Sequence, residues 1–307
     1  MTVEEAIQFA EGYLSQRKLS LPRQDAELLV SSILQKNRAF LYGHPECELR
    51  AAQERLFCLW LAKRGEHYPL QYLRGHQEFY GRDFIVRPGV FIPRPETEVL
   101  IEITLERLKQ YPQKRLRIAD VGTGSGCIAI TLACEDPRVH IVATDASPTA
   151  LEVARLNAKR HGCANRIKFC LKKGLGGDST YKHFFDLILS NPPYVGRQQR
   201  HRVDLSVRKY EPSNAVFAGE SGQEVYAMLL PQAMLALKSQ GSLILELGED
   251  SKKKVVALAQ QTGWKIGQVR ADLAGIDRCI ALDKDLGQKG TGLIFSQDQN
   301  KNKSCYD

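Results

Sequence analysis

No apolar run in this 307-residue chain approaches the roughly 20 residues needed to cross a bilayer. That excludes a helical membrane span as an expectation. The opening residues 1–13 are acidic and polar at helical spacing, without the basic and then apolar character of a signal peptide. None of the eight cysteines forms a close pair at metal-ligand spacing, so no metal site is expected. Reduced thiols in a cytoplasmic protein are the default. There is no internal repeat. A basic stripe is also missing from the N-terminal helices, where acids are at least as numerous as bases over residues 4–27. The formal net charge of +8 nevertheless suits an acidic or nucleic-acid partner. Runs such as Lys252-Lys253-Lys254 equally suit exposed helix and loop faces.

The patterns that are present divide the chain. Val3, Ala6, Ile7, Ala10 and Leu14 share a helical face. Ser20 and Pro22 announce a second helix carrying Ala26, Leu29, Val30, Ile33 and Leu34. A third helix is expected with Ala52, Leu56, Leu59 and Trp60 inward. From about residue 77 the period changes. Glu78-Phe79-Tyr80 and Phe84-Ile85-Val86, split by Gly81-Arg82-Asp83, predict a β-hairpin. Pro88, Pro93 and Pro95 make a stiff connector. A helix begins near Glu96 with Val99, Leu100, Ile103 and Leu108 inside. Beyond it, apolar strand-like runs alternate with helical stretches such as residues 148–161 and 222–237. Such alternation implies an α/β fold with a mostly parallel sheet covered on both faces. Two short strands, near residues 265–270 and 278–282, close the domain. From Lys284 the chain is polar and rich in Gly, Gln, Asn and Lys, which predicts a disordered tail.

The first strand of that sheet ends in Asp120-Val121-Gly122-Thr123-Gly124-Ser125-Gly126. Glycines there let the backbone turn sharply and approach a ligand at the start of the next helix. Gly124 to Ala129 also satisfies the G-x-G-x-x-A of a dinucleotide site, so the loop alone leaves the ligand open. Asp145 ends the second strand, where a carboxylate accepts both hydroxyls of a ribose, in NAD or in S-adenosylmethionine (SAM). It could instead cap the helix at Pro148, although Ser147 is better placed for that.

Asn191-Pro192-Pro193-Tyr194 decides between them. It follows an apolar strand, so it shares the crevice at the carboxyl ends of the strands with the glycine loop. An amide or exocyclic amino nitrogen is a poor nucleophile because its lone pair is delocalised. The Asn191 side-chain carbonyl and the Pro192 main-chain carbonyl can accept its N–H bonds, localising the lone pair and stabilising the positive charge that develops. Pro192 and Pro193 fix φ and remove competing donors. The Tyr194 ring can stack on a flat amide or base and exclude water. These residues point to a SAM-dependent methyltransferase acting on a planar nitrogen, in adenine or in an amide.

With these residues in hand, the chain resembles the protein-(glutamine-N5) methyltransferases that modify peptide chain release factors. The similarity covers nearly all of residues 1–283 and includes Pro69-Leu70-Gln71-Tyr72-Leu73-Arg74-Gly75 and Phe91-Ile92-Pro93-Arg94-Pro95-Glu96-Thr97-Glu98. It also includes Glu211-Pro212, Ala218-Gly219-Glu220-Ser221-Gly222 and Asp272-Leu273-Ala274-Gly275-Ile276-Asp277-Arg278. A sister family acting on a ribosomal protein's glutamine is a competitor, as are the adenine-N6 DNA and RNA methyltransferases that share Asn-Pro-Pro-Tyr. The resemblance implies a class I methyltransferase with a Rossmann-like, seven-stranded sheet. Residues 1–75 would be a helical substrate-recognition domain, 76–95 a hairpin linker, 96–283 the SAM-dependent domain and 284–307 the tail.

The substrate implied is the glutamine of a release factor's Gly-Gly-Gln motif, methylated by a cytoplasmic monomer that needs neither nucleic acid nor membrane. Asp120, Gly122, Thr123, Gly124, Ser125, Gly126, Asp145, Gly174 and Asn191 would bind SAM. Asn191, Pro192, Pro193, Tyr194, Arg94 and Glu96 would hold the substrate, with Asn191, Pro192 and Tyr194 catalytic. One departure stands out. Lys173 replaces the family's usual acidic residue and Gly174 its adenine-packing neighbour. Weaker SAM binding or a different adenine pocket is expected, with Asp178 the candidate substitute.

Overall fold

In the computed structural model, which describes residues 1–176 and 181–284, the N-terminal stripes become a cluster of helices with its own core. Helix α1 (Val3–Gln16) opens on a capping box, Thr2 accepting from the Glu5 N–H while the Glu5 carboxylate takes the Thr2 N–H. Its predicted face is buried throughout. Helix α2 (Pro22–Leu34) starts with Pro22 in its first turn, and Leu21 rather than Ser20 occupies the cap position. Helices α3 (Arg38–Gly43), α4 (Ala51–Gly65) and α5 (Leu70–Arg74) complete the cluster.

The expected inner face of α4 is right only at Trp60, which packs half-buried against the core. Phe57 and Leu61, four residues apart, turn into the core against α1 and α2. Ala52, Leu56 and Leu59 lie exposed, Leu59 at 52 %.

The hairpin pairs β1 (His76–Phe79) with β2 (Arg82–Ile85), so Arg82 and Asp83 belong to the strand and not to the turn. The turn is Tyr80-Gly81, both at positive φ, the geometry of a two-residue hairpin loop. A tyrosine is strained there. Its N–H is held by Glu98 Oε1 at 2.8 Å, which offsets the strain. Phe79 and Phe84 reach into the main sheet's core.

A short 3₁₀ turn, Pro95–Thr97, leads into α6 (Glu98–Leu108). Strands β3 (Leu116–Val121), β4 (Val139–Asp145), β5 (Ile167–Leu171), β6 (Phe185–Ser190) and β7 (Leu237–Glu246) pair in parallel. Strands β8 (Trp264–Ala271) and β9 (Asp277–Lys284) add antiparallel, giving the order β5-β4-β3-β6-β7-β9-β8. Lys284, expected to open the tail, ends β9; residues 285–307 and Asp178 lie outside the described residues. Helices α7 (Cys127–Glu135), α8 (Pro148–Arg160), α9 (Leu205–Tyr210), α10 (Ser213–Val216), α11 (Glu224–Ala236) and α12 (Lys252–Gln261) occupy the connections. Because β3 is flanked by β4 and β6, the chain leaves it first to one side and then to the other, opening a crevice at the carboxyl ends.

Candidate active site

The loop after β3 is built from beneath. Asp120 is wholly buried, and its carboxylate accepts from the Thr123 hydroxyl at 2.6 Å and the Ala129 N–H at 3.2 Å. Burial pushes its pKa up to about 7 against these bonds. Asp120 therefore braces the loop and does not line the cavity above it, unlike Gly122, Thr123, Gly124 and Ser125. Gly126 serves from behind: it sits at positive φ, and a Cβ there would stand 2.8 Å from Ile130 Cδ1. Asn157 of α8 ties loop to hairpin, donating to the Ser125 carbonyl at 2.9 Å and exchanging bonds with the Ile85 N–H and carbonyl.

Asp145 lies beside this loop, accepting from the Gly124 N–H and the Ser147 N–H, each at 2.9 Å. Burial raises its pKa, and these N–H groups oppose the shift. Ser147 caps α8, as its position suggested, through a bond from the Ala150 N–H. Gly174 sits at positive φ where a Cβ would stand 2.4 Å from Gln232 Oε1. The same oxygen accepts from the Leu175 N–H at 3.0 Å, and the Gly174 carbonyl accepts from Thr144. Lys172, Lys173 and Gly174 all line the cavity, so two cationic stems stand in this wall.

Asn191 follows β6. Its Nδ2 donates to the Thr97 hydroxyl at 3.0 Å, which turns Oδ1 the other way. Ser190 bonds the Val121 carbonyl at 2.7 Å, locking β6 to β3 where both strands end. Past the prolines, residues 195–197 are pinned to residues 216–219 by backbone bonds. Gly196 and Gly222 permit this crossing, since a Cβ on either would meet backbone within 2.6 Å.

The cavity measures about 420 Å³, within the range of small-molecule sites. It brings together the glycine loop, Asp145, Gly174, Asn191, Pro192 and Pro193, with Phe91, Pro93 and Thr97 as further walls. Tyr194, Arg94 and Glu96 are not in its lining. The Tyr194 ring fills the space above Gly248, where a Cβ would come within 2.6 Å of it, and faces a neighbouring cavity of about 200 Å³ with Arg202 and Arg278. Arg94 is committed to an ion pair with the buried Glu211, which also accepts the Ile92 N–H at 3.1 Å. That clamp fastens the 91–97 segment over the site. Sequence reasoning missed Thr97, the partner of Asn191, which has the appearance of an ordinary residue of a helix's first turn. Glu246 is 2 % exposed, and burial raises its pKa to about 7, with Glu96 adding repulsion and Arg278 and Arg94 opposing it.

The donor set fits SAM. Asp145 suits ribose hydroxyls, Ser125 Oγ is a buried donor with no partner among the described residues, and the positive-φ glycines leave room for a ligand against the backbone.

Comparison with known proteins agrees. Residues 5–75 match the family described as PrmC N-terminal domain, and residues 82–208 match the Methyltransferase small domain. The chain is 41 % identical over 280 residues to a release factor glutamine methyltransferase of Koribacter versatilis, covering 91 % of this chain and 98 % of that one. Its identity to the same enzyme of Coxiella burnetii is 38 %, over 84 % of this chain and 91 % of the other. Among solved structures, the hMettl16 catalytic domain in complex with a MAT2A 3'UTR hairpin aligns with a TM-score of 0.54 at 15 % identity, covering 91 % of this chain and 92 % of that one. The last likeness speaks to the fold alone.

Proposed function

The chain belongs to the release factor glutamine methyltransferase family, and on that premise we propose that it methylates the side-chain amide nitrogen (N5) of the glutamine in a release factor's Gly-Gly-Gln motif. It is a SAM-dependent methyltransferase; SAM supplies an electrophilic methyl group. The observation that carries the reading is the orientation of Asn191. With Nδ2 engaged by Thr97, Oδ1 is left to accept an N–H of the incoming amide. The Pro192 carbonyl accepts the second. Both contacts strengthen as the nitrogen becomes positive, so they favour the transition state over the ground state. The new N–C bond forms as the methyl–sulfur bond breaks, the bonding pair passes to sulfur, and the nitrogen sheds one proton.

Gly122, Thr123, Gly124, Ser125, Asp145 and Gly174 hold SAM in this reading. Asp120 and Gly126 shape the loop. Arg94 acts through its clamp on Glu211, and Tyr194 secures the loop from outside the large cavity. Residues 1–75 grip the release factor, supported by the exposed Ala52, Leu56 and Leu59 face of α4. The hairpin of residues 76–95 joins this domain to the catalytic residues 96–283 and is packed into their core through Phe79 and Phe84. The enzyme works as a cytoplasmic monomer without nucleic acid. No helix among the described residues is long and apolar enough to cross a membrane.

Incubating the chain with SAM and a bacterial release factor tests this. One methyl group should appear on the glutamine of the Gly-Gly-Gln peptide. Methyl transfer to a ribosomal protein or to adenine in its place would overturn the assignment.

A further inference from the structure

One peptide unit at the end of the large cavity is held from both sides. The Gly174 carbonyl accepts from the Thr144 hydroxyl at 2.9 Å, and the Leu175 N–H donates to Gln232 Oε1 at 3.0 Å. Thr144 precedes Asp145 on β4, and Gln232 stands on α11. Thr144 and Leu175 are both buried, so water is no ready substitute for either bond. Met228, one turn before Gln232, shares its helix face and lines the cavity. Gly174 lines the cavity too, but α11 takes the space where its side chain would stand. A Cβ there would be 2.4 Å from Gln232 Oε1 and 3.3 Å from Met228 Cε, at a backbone φ of +66°. Position 174 therefore carries no side chain, and Met228 supplies one to the cavity from the helix behind it.

Sheet order decides which part of SAM meets this wall. Along the carboxyl edge, the order β5-β4-β3-β6 puts Asn191 after β6, the glycine loop after β3, Asp145 at the end of β4 and residues 172–174 after β5. With the sulfonium beside Asn191 and the ribose at Asp145, the base falls to the β5 end. We infer that Met228 packs against the adenine of SAM, and that Gln232 is the positioning residue that keeps the Gly174–Leu175 peptide, and with it the base pocket, in place. A thioether is polarisable and adapts to the face or edge of an aromatic ring. Only an acceptor can meet the Leu175 N–H, so the Gln232 amide is fixed with Oε1 toward the loop. Gln232 does not touch SAM in this account; it acts through the peptide it holds. The inference rests on Asp145 holding the ribose of SAM, and it is independent of which nitrogen is methylated.

The full-length chain is compared with Met228→Ala, Gln232→Leu and Gln232→Glu by calorimetric titration, without any release factor. Two ligands are used: SAM, and methylthioadenosine, which keeps the nucleoside but lacks the amino-acid end. Met228→Ala should weaken SAM by about five- to tenfold, the upper scale of a lost thioether–aromatic contact, and methylthioadenosine by the same factor. Gln232→Leu removes the acceptor with little change of size and should weaken both ligands together. Gln232→Glu keeps an oxygen for the Leu175 N–H and should hold both affinities close to wild type. Met228 is only half-buried, so Met228→Ala carries the test where Gln232→Leu does not fold. Unchanged affinities in Met228→Ala, or a loss confined to SAM, would overturn the contact with the base. No loss in Gln232→Leu, the mark of a purely structural tie, would overturn the positioning role, and so would a loss that Gln232→Glu shares in full. A wild type that binds SAM but fails to methylate the release factor counts against the glutamine reading alone, because the titrations still decide this one.

Discussion

Asp120 illustrates how the site is held at the scale of single residues. Its carboxyl has no route to solvent, so the folded state favours the protonated form up to about pH 7. An unfolded aspartate ionises near ~3.9. Between these values the folded chain binds the extra proton, so stability is fullest below the unfolded pKa and declines as pH rises through the folded one. Glu246 adds to the decline in the same direction, from its own raised pKa of about 7. In Asp120→Asn the first contribution is gone. Denaturant midpoints of wild type and variant should therefore draw apart in the variant's favour as pH rises from about 4 to about 7, on top of any constant offset. A gap that does not change with pH would show that Asp120 is ionised when folded. Such residues differ in how readable they are. Asn191, Asp145 and the glycines were legible because strand-end chemistry admits few alternatives at those positions. Thr97 was not, since its contact with Asn191 depends on a partner far away in sequence.

Elements position these residues, and Asn157 shows the coupling most directly. One buried amide of α8 serves the hairpin through Ile85 and the glycine loop through Ser125. In Asn157→Ala those backbone groups lose their partner inside the protein. At about 1–3 kcal/mol for each buried unsatisfied group, the loss of stability should exceed that of an ordinary surface change severalfold. SAM affinity should fall as well, because the Ser125 turn is no longer braced. Thermal melting and SAM titration measure the two effects. A variant as stable as wild type would mean that water replaces the amide. At this scale the alternation of strand and helix was plain in sequence. The hairpin register was not, because Tyr80 takes a positive φ that a sequence pattern does not suggest and that the contact from Glu98 sustains.

For the whole molecule, the division of labour is between a helical cluster with its own core and the sheet domain that carries the chemistry. Tyr72 links the two, its hydroxyl bonding the Val90 carbonyl at 2.6 Å, and Tyr210 does so through the Glu66 carbonyl at 3.0 Å. The misread face of α4 becomes informative here: Leu56 and Leu59 are exposed because Phe57 and Leu61 took the core, which leaves an apolar strip on the helical domain. Leu56→Ser with Leu59→Ser should raise KM for the intact release factor by about tenfold, the effect of losing roughly 1.4 kcal/mol of binding, without changing SAM affinity. A short Gly-Gly-Gln peptide, too small to reach α4, should be indifferent to the change. Equal effects on peptide and protein would place the release factor elsewhere. Lys172 and Lys173 line the same cavity as the glycine loop, and the expectation of weakened SAM binding there is tested by SAM titration of the wild type.

The central claim is that Asn191 activates the amide nitrogen without being needed to hold SAM. Wild type and Asn191→Ala should be assayed side by side for SAM affinity and for methylation of the release factor glutamine. The account predicts that the variant keeps SAM binding at least in part and loses turnover by about 100-fold or more, the scale of removing a preorganised contact to developing charge. Retained turnover in Asn191→Ala, with SAM bound, would contradict it.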